Sequence, residues 1–263
     1  MYDFAYQKPA SIADAVRLLA DPEAKLLAGG MTLIPVLKQR LNKPGTVVDL
    51  GRLGLAGITV AGGTVTIGAM TTHATVARSA EVRRAIPALA ALAGGIGDPA
   101  VRNRGTIGGS LANNDPTADY PAAVLALGAT IKTDKRTISA EDYFQGMFST
   151  ALEPGEIITA VEFPTPEKAA YVKFPNPASR YAMVGVFVAR GPKGVRVAVT
   201  GAGQGGVHRH GGFEQALAKS WSAAALDGVP TPADDLNSDI HGSAEYRAHL
   251  VGVIARRAVA AAG

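Results

Sequence analysis

Two short stretches of the sequence pair glycines with hydroxyl side chains and contain almost no reactive side chain. The first is LLAGGMTL, with Gly29 and Gly30, and the second is RGTIGGSLANNDPTAD, with Gly108 and Gly109. Paired glycines let backbone N–H groups point at one anion without interference from a Cβ, and neighbouring hydroxyls add donors. Either stretch alone is better explained as a tight turn. Together they favour a site for the two phosphates of a dinucleotide cofactor, which would bring its own chemistry.

The composition excludes several other kinds of site. The 263 residues include no cysteine, so a disulfide framework, a thiolate zinc site, an iron–sulfur cluster and a cysteine nucleophile are excluded within this chain. The net charge of +4 is small and the Lys and Arg residues are dispersed, which disfavours nucleic-acid binding. No apolar run is long enough for a transmembrane segment, and the N-terminal residues lack a signal-peptide pattern. We therefore expect a soluble, cytoplasmic chain.

A third glycine-rich stretch, VAVTGAGQGG, matches the dinucleotide fingerprint G-x-G-x-x-G with Gly201, Gly203 and Gly206. The fingerprint requires a helix that opens on the last glycine, whereas VHRHGG delays the next helix here. The acidic residue expected about twenty positions later would be Asp227, which lies in a loop pattern. We therefore interpret this stretch as a connection between a core strand and a helix.

Two further patterns are weak indications of metal binding or hydrolysis. His208 and His210 form an H-x-H pair whose only nearby carboxylate is Glu214, and the other histidines are scattered. Solvated loop histidines explain this pair better than a metal site does. No G-x-S-x-G nucleophile elbow is present, which disfavours a hydrolase.

The elements around the two glycine turns predict an α+β fold, because strands and helices do not alternate strictly. SIADAVRLLAD predicts a helix capped by Ser11, and a strand over 25–28, a helix in MTLIPVLKQRL and a strand in GTVVDLGRL follow. AGITVAGGTVTIGAMTTH predicts a hairpin that turns at Gly62 and Gly63. ATVARSAEVRRAIPALAALAGGI predicts helical structure that breaks at Gly94 and Gly95.

The remaining elements continue this mixed pattern. YPAAVLALGATIKTD predicts a helix that leads into a strand, and EIITAVEFPTP and AAYVKFPNPAS predict strands. AMVGVFVARGPKGVRVAVTGAG predicts a strand pair around GPKG, and FEQALAKSW and SAEYRAHLVGVIARRAVAAA predict helices.

Five motifs, in this order, resemble one protein family. They are LLAGGMTLIPVLKQRL, IGAMTTHATVARS, GDPAVRNRGTIGGSLANNDPTADYPAAVLALGA, GEIITAVEFP and KFPNPASRYAMVGVFVA. They are similar to the FAD-binding medium subunit of molybdenum hydroxylases, the family of xanthine dehydrogenase and aerobic carbon monoxide dehydrogenase. The similarity covers essentially the whole chain, and the wording of the motifs most resembles the carbon monoxide dehydrogenase-like branch.

The resemblance implies a PCMH-type, vanillyl-alcohol-oxidase-like FAD-binding fold of two subdomains, at residues 1–55 and 56–175. A C-terminal α+β domain of the carbon monoxide dehydrogenase flavoprotein type is expected at residues 176–263. The implied protein is an oxidoreductase complex in which this chain carries FAD. A large subunit would hold the molybdenum cofactor and a small subunit two [2Fe–2S] clusters, in a dimer of heterotrimers. The FAD would accept electrons from the clusters and pass them to an external acceptor.

The resemblance also assigns the two pyrophosphate loops residue by residue. The first is matched by Lys25, Leu26, Leu27, Ala28, Gly29, Gly30, Met31, Thr32 and Leu33, and the second by Thr106, Ile107, Gly108, Gly109 and Ser110. No catalytic side chain and no metal ligand are assigned to this chain, because the flavin carries the chemistry.

Five further residues are assigned to the cofactor. Asp119 resembles an acidic residue that hydrogen-bonds the cofactor, and Ile96 and Ile158 fall where apolar residues line it. Lys173 resembles a lysine near the flavin ring whose charge could stabilise the reduced, anionic flavin; the alternative is an ordinary surface lysine. Tyr181 matches an aromatic residue that lies against the isoalloxazine; the alternative is a packing tyrosine.

Two other functions fit the sequence less well. The same fold family includes stand-alone FAD-dependent oxidoreductases, and these require a substrate pocket with its own proton donor. A cofactor-free assembly subunit is disfavoured by the intact glycine pairs at Gly29–Gly30 and Gly108–Gly109.

Overall fold

The first unit of the computed structural model, which describes residues 1–263, is a three-stranded parallel sheet with two short helices. Its elements are β1 (Ala5–Gln7), α1 (Ile12–Leu18), β2 (Ala24–Leu27), α2 (Leu33–Lys38) and β3 (Thr46–Asp49), with β3 in the centre. Ser11 caps α1 by accepting from the N–H of Asp14, as the sequence predicts. The first glycine turn directly follows β2 and precedes α2.

The second unit contains a five-stranded antiparallel sheet in the order β4-β5-β10-β6-β7. Its elements are β4 (Ile58–Ala61), β5 (Thr64–Gly68), α3 (His73–Arg78), α4 (Ala80–Ala85), α5 (Pro87–Gly94), α6 (Pro99–Arg104), α7 (Ile107–Asn113), α8 (Tyr120–Leu127), β6 (Thr130–Thr133), β7 (Thr137–Ser139), α9 (Ala140–Tyr143), β8 (Phe144–Gly146), β9 (Ser149–Thr150) and β10 (Ile158–Pro164). The largest hydrophobic core lies here, and it includes residues of α5 and of the wholly buried α8.

The segment ATVARSAEVRRAIPALAALAGGI is helical as predicted, and the structure divides it into three helices, α3, α4 and α5. Ser79 is extended and caps α4 by accepting from the N–H of Val82. Pro87 begins α5, and a proline restricts the residue before it, Ile86, to a non-helical conformation. The helical pattern is therefore interrupted at a cap and at a proline before it ends at Gly94.

The second glycine pair lies in the first turn of a helix rather than in an open turn. Thr106 is extended and its hydroxyl accepts from the N–H of Gly109, which caps α7. Gly108 and Gly109 have low helix propensity, so the sequence pattern does not predict this helix.

The third unit is a four-stranded antiparallel sheet covered by a long C-terminal helix. Its elements are β11 (Lys168–Pro175), β12 (Ala182–Gly191), β13 (Gly194–Thr200), β14 (His208–Arg209), α10 (Gly211–Lys219) and α11 (Ala244–Ala262). The predicted C-terminal domain starts at residue 176, and β11 before it already belongs to this sheet through its pairing with β12. None of the helices combines the length and apolar character needed to cross a membrane.

The segment that leads into β10 is fastened by Glu156, whose side chain has no exposed surface. Its carboxylate accepts from Arg136 Nε at 3.0 Å, from the Thr133 hydroxyl at 2.7 Å and from the N–H of Glu153 at 2.8 Å. The bonds from the Arg136 guanidinium lower the pKa of Glu156 from 4.5 to about 2. This fixes the backbone of Ile157 and of the residues after it.

Replacing Glu156 with Gln should lower the free energy of unfolding by about 1–3 kcal/mol near neutral pH, because a charged hydrogen-bond acceptor is lost. A carboxylate with a lowered pKa stabilises the fold above its ordinary pKa, and that contribution is lost as the pH falls toward the folded pKa. In urea titrations, the difference between the wild type and Glu156→Gln should therefore shrink between pH 4.5 and pH 2.

Glu153→Gln is the matched control, because Glu153 is exposed and lies 3.5 Å from Lys135 in a surface ion pair. Its removal should change stability little at either pH. Equal effects of the two substitutions, or an effect of Glu156→Gln that does not depend on pH, would contradict the assigned role of Glu156.

Candidate functional site

A cleft of about 530 Å³ lies between the first and second units and reaches Tyr181 of the third. Most of the residues assigned from the sequence line it. They are Lys25, Leu26, Ala28, Gly29, Gly30, Met31, Thr32, Leu33, Ile96, Thr106, Gly108, Gly109, Ser110, Asp119, Ile158 and Tyr181. Residues distant in sequence therefore meet along a single groove.

The first glycine turn presents unbonded backbone donors to this cleft. No backbone hydrogen bond of the chain uses the N–H groups of residues 29–33, and the next donor along the chain is Ile34, which bonds Gly30. Gly29, Gly30 and Leu33 are buried or half-buried, whereas Met31 and Thr32 are exposed. A buried N–H group without a partner is costly unless water or a ligand accepts from it. This run therefore fits an anionic group such as a phosphate.

The second glycine turn is bonded into the chain itself. Ile107 donates to the carbonyl of Thr71 at 3.1 Å, and Gly108 donates to the carbonyl of Ala69 at 2.9 Å. The N–H of His73 donates to the carbonyl of Gly105 at 3.0 Å. Residues 69–73 and 105–108 therefore form a backbone ladder that holds the second turn as a fixed wall.

The two turns touch each other through backbone atoms. A Cβ on Gly29 would overlap the carbonyl oxygen of Arg104, and one on Gly108 would lie 2.6 Å from the Cβ of Ala69. Gly30 has φ +77°, a conformation that disfavours other residues. Gly29 is thus required by close packing between the first and second units, and Gly108 by close packing within the second unit.

Asp119 also lines the cleft and is almost fully buried. Its carboxylate accepts from the hydroxyl of Tyr171 and from Lys173 Nζ at 3.1 Å, and Lys173 also donates to the carbonyl of Gly95 at 3.0 Å. Burial raises the pKa of Asp119, and Lys173 and the Tyr171 hydroxyl oppose that rise. We call Asp119, Tyr171 and Lys173 the Asp119 network.

Ile96 and Tyr181 line the cleft as well. Arg102 Nη1 donates to the carbonyls of Ile96 and Gly97, each at 2.9 Å, and so fixes the turn after α5. Tyr181 precedes β12 and is 50% exposed, so one side of the ring is open to solvent. Burial, and then the negative charge of Asp115, raise the pKa of its hydroxyl, which therefore stays neutral.

The cleft also contains residues that the sequence did not indicate. They are Val36, Asn42, Leu50, Ala69, Met70, His73, Val101, Gly105, Ala112, Asn113, Asp115, Ala118, Leu152, Glu156 and Ile157. His73 is the last residue of AGITVAGGTVTIGAMTTH, the stretch predicted as a hairpin. This position was the one signal in the sequence that could have indicated a residue of the cleft. Burial lowers the pKa of His73 to about 4, so its imidazole brings no positive charge, and its Nδ1 has no hydrogen-bond partner.

Three assigned residues do not line the cleft. Leu27 ends β2, and Ile107 is fully buried in the core of the second unit. Lys173 is outside the cleft lining, and its ammonium group is paired with Asp119, which does line the cleft.

The remaining motifs lie in the third unit, away from the cleft lining. Gly201, Gly203 and Gly206 follow β13, but β14 comes next and α10 begins only at Gly211, in an antiparallel sheet. His210 caps α10 by accepting from the N–H of Phe213. These glycines therefore connect two strands, rather than the core strand and helix that were predicted.

Comparisons with known proteins agree with this architecture. Residues 2–166 match the family described as the FAD binding domain in molybdopterin dehydrogenase. The chain is 39% identical to the nicotine 6-hydroxylase medium subunit of Paenarthrobacter nicotinovorans, over 98% of this chain and 96% of that protein. It is 37% identical to the carbon monoxide dehydrogenase medium chain of Afipia carboxidovorans, over 97% of this chain and 95% of that protein.

A solved structure gives the same result for the fold. A chain of the reconstituted carbon monoxide dehydrogenase from Oligotropha carboxidovorans has a TM-score of 0.92 at 36% identity, covering 99% of this chain and 98% of that chain. An α+β chain of this kind, with a cleft between glycine turns, is typical of FAD-binding subunits. This chain belongs to the family of FAD-binding medium subunits of molybdenum hydroxylases. The fold class and the family predicted from the sequence are confirmed.

The contact between the turns gives a direct test by substitution. Gly29→Ala places a methyl group on the carbonyl of Arg104 and should move the first turn away from the second. We expect FAD affinity to fall roughly tenfold or more, the effect of about 1–3 kcal/mol of overpacking. Fluorescence titration with FAD measures the change.

Gly205→Ala is the matched control, because a Cβ at Gly205 meets no atom within 4 Å and its φ is not positive. It should leave FAD affinity unchanged. Unaltered affinity in a folded Gly29→Ala protein would show that the contact between the turns does not position the binding groups.

Proposed function

We propose that this chain holds FAD in the cleft and carries electrons from the [2Fe–2S] clusters of a small partner subunit to an external acceptor. A large partner subunit holds the molybdenum cofactor, where the substrate is oxidised. The chain is thus the electron-transfer subunit of a molybdenum hydroxylase of the carbon monoxide dehydrogenase-like branch. A cytoplasmic location and a dimer of heterotrimers are parts of the same proposal, as the family resemblance implies.

The observation that carries the proposal is the run of unbonded N–H groups over residues 29–33. These residues line the cleft beside the second turn, where Thr106 and Ser110 add hydroxyl groups. The pyrophosphate of FAD is an anion that such donors bind without a metal or a cationic side chain. In this proposal residues 25–33 and 106–110 therefore bind the pyrophosphate.

The part of the cleft around the Asp119 network suits the flavin ring. When bound, the isoalloxazine supplies the electron-transfer chemistry, so the chain has only to bind, orient and shield it. Ile96 and Ile158 supply apolar surface, Tyr181 supplies a neutral aromatic ring, and Asp119 accepts hydrogen bonds. The half-exposed ring of Tyr181 leaves an edge that an acceptor can approach.

The choice of substrate belongs elsewhere in such a complex. The two relatives above are named for nicotine and for carbon monoxide, yet their medium subunits are similar to this chain to nearly the same degree. This supports a cleft specialised for the cofactor rather than for the oxidised substrate.

Reoxidation of the iron–sulfur clusters tests the function without knowledge of the substrate. Gly109→Val should abolish FAD retention, because a branched side chain at Gly109 enters the phosphate space and presses on the Thr106 hydroxyl, 2.9 Å from its Cβ position. In the purified complex with this variant, a chemical reductant should still reduce the clusters. Their reoxidation by an added quinone should be lost, as followed by the visible absorption of the clusters.

The wild-type complex and a Gly205→Val complex serve as controls, and both should reoxidise normally. A folded Gly109→Val chain with normal flavin content would contradict the assignment of the turns. Normal reoxidation in a complex that lacks flavin would contradict the electron-transfer role, and full turnover by the isolated chain would favour a stand-alone oxidoreductase.

A further inference from the structure

The Asp119 network joins three parts of the chain at the flavin end of the cleft. Asp119 directly precedes α8 of the second unit, whereas Tyr171 and Lys173 lie on β11 of the third. Both donors converge on one carboxylate, and Lys173 uses a further bond to hold the carbonyl of Gly95 after α5. On β12, Gly185 leaves the space that the Tyr171 hydroxyl occupies.

The bonding pattern indicates which charges are present. Both partners of Asp119 are donors, and an ionised carboxylate is acceptor-only, so the geometry fits an ionised Asp119 beside a protonated Lys173. The side chain of Lys173 is 13% exposed and that of Asp119 is 4% exposed. A buried ion of either sign without its partner is strongly unfavourable, so the pair is formed with zero net charge.

The position of the Asp119–Lys173 pair determines whether a cofactor in the cleft lies beside a net charge. Asp119 lines the cleft, whereas Tyr171 and Lys173 do not. The charge of Lys173 is therefore paired with that of Asp119, a residue of the cleft wall. This differs from a free lysine placed to stabilise an anionic reduced flavin.

We propose that Lys173 acts on the flavin only through Asp119. Its ammonium group, which the third unit contributes, keeps the carboxylate of Asp119 ionised and makes the pair neutral overall. Lys173 is thus a positioning residue, and its effect is to prevent Asp119 from setting the reduction potential through an uncompensated negative charge. This inference rests on the proposed binding of FAD in the cleft.

The titratable groups around Asp119 come from every element packed against it. They are Tyr171 and Lys173 on β11, Tyr120 on α8, Tyr181 before β12 and Asp115 after α7. Burial raises the pKa of Tyr120, Tyr171 and Tyr181, so all three tyrosines stay neutral at the pH values of the test. Asp115 is common to all the variants below.

The reduction potential of bound FAD separates the possible roles. In Lys173→Met, Asp119 loses its counter-charge. At high pH, where Asp119 is ionised, the reduction potential of this variant should lie below that of the wild type at the same pH. At lower pH, where Asp119 is protonated, the two potentials should converge. In Asp119→Asn, the unpaired ammonium should raise the potential. The double variant Lys173→Met/Asp119→Asn should lie near the wild type, because the two charges are removed together.

A second measurement does not require the cofactor. The infrared carbonyl band of a protonated carboxyl group should appear in flavin-free Lys173→Met at neutral pH. It should be absent from the wild type and from the double variant, which lacks the carboxyl group. This result tests the pair even in variants that fail to retain FAD.

Two results would overturn the inference. The first is a reduction potential of Lys173→Met that lies below the wild-type value by the same amount at every pH and is not restored in the double variant. Lys173 would then act on the flavin directly. The other is a protonated carboxyl band of Asp119 in the wild type. A wild-type chain that binds no FAD would instead refute the proposed function, while the infrared result would still decide the state of the pair.

Discussion

The backbone contact between the two glycine turns is the constraint on which the cleft depends. Gly29 lies against the main-chain carbonyl of Arg104, at a separation that excludes any side chain. The ladder between residues 69–73 and 105–108 holds the second turn in place, and Gly108 packs on Ala69 at its end. A side chain at Gly29 would therefore separate the first unit from the second, whereas one at Gly108 would press on Ala69 within the second unit. Both glycines are needed for packing before any ligand binds.

This packing leaves the two turns with different roles toward a ligand. The first keeps the N–H groups of residues 29–33 unbonded, whereas the second uses its own in the ladder and the cap of α7. The third unit fixes the segment before Asp119, because the hydroxyl of Thr200 donates to the carbonyls of Pro116 and Ala118 at 3.1 and 2.7 Å. The segment that carries Asp119 is thus bound to the C-terminal sheet, which links that sheet to the cofactor end of the cleft.

Local signals in the sequence predict much of the fold. The Ser11 cap, the hairpin at Gly62–Gly63 and the strand pair around GPKG all occur in the structure. The helix α7 is missed because two glycines oppose it, and only the Thr106 cap and burial against the sheet outweigh their propensity. The Asp119 network is not predictable from local patterns, since its members meet only when β11 joins the third sheet. Family resemblance indicates which residues surround the cofactor, but the pairing of Lys173 with Asp119 requires the structure.

Amide hydrogen exchange with and without FAD tests most directly the claim that the first turn supplies the phosphate donors. The account predicts that exchange at residues 29–33 is fast in the free chain and becomes strongly protected when FAD binds. Residues 107–110 should be protected in both states, because their N–H groups are already bonded within the chain. Protection by FAD that appears at residues 107–110 and not at residues 29–33 would contradict the account.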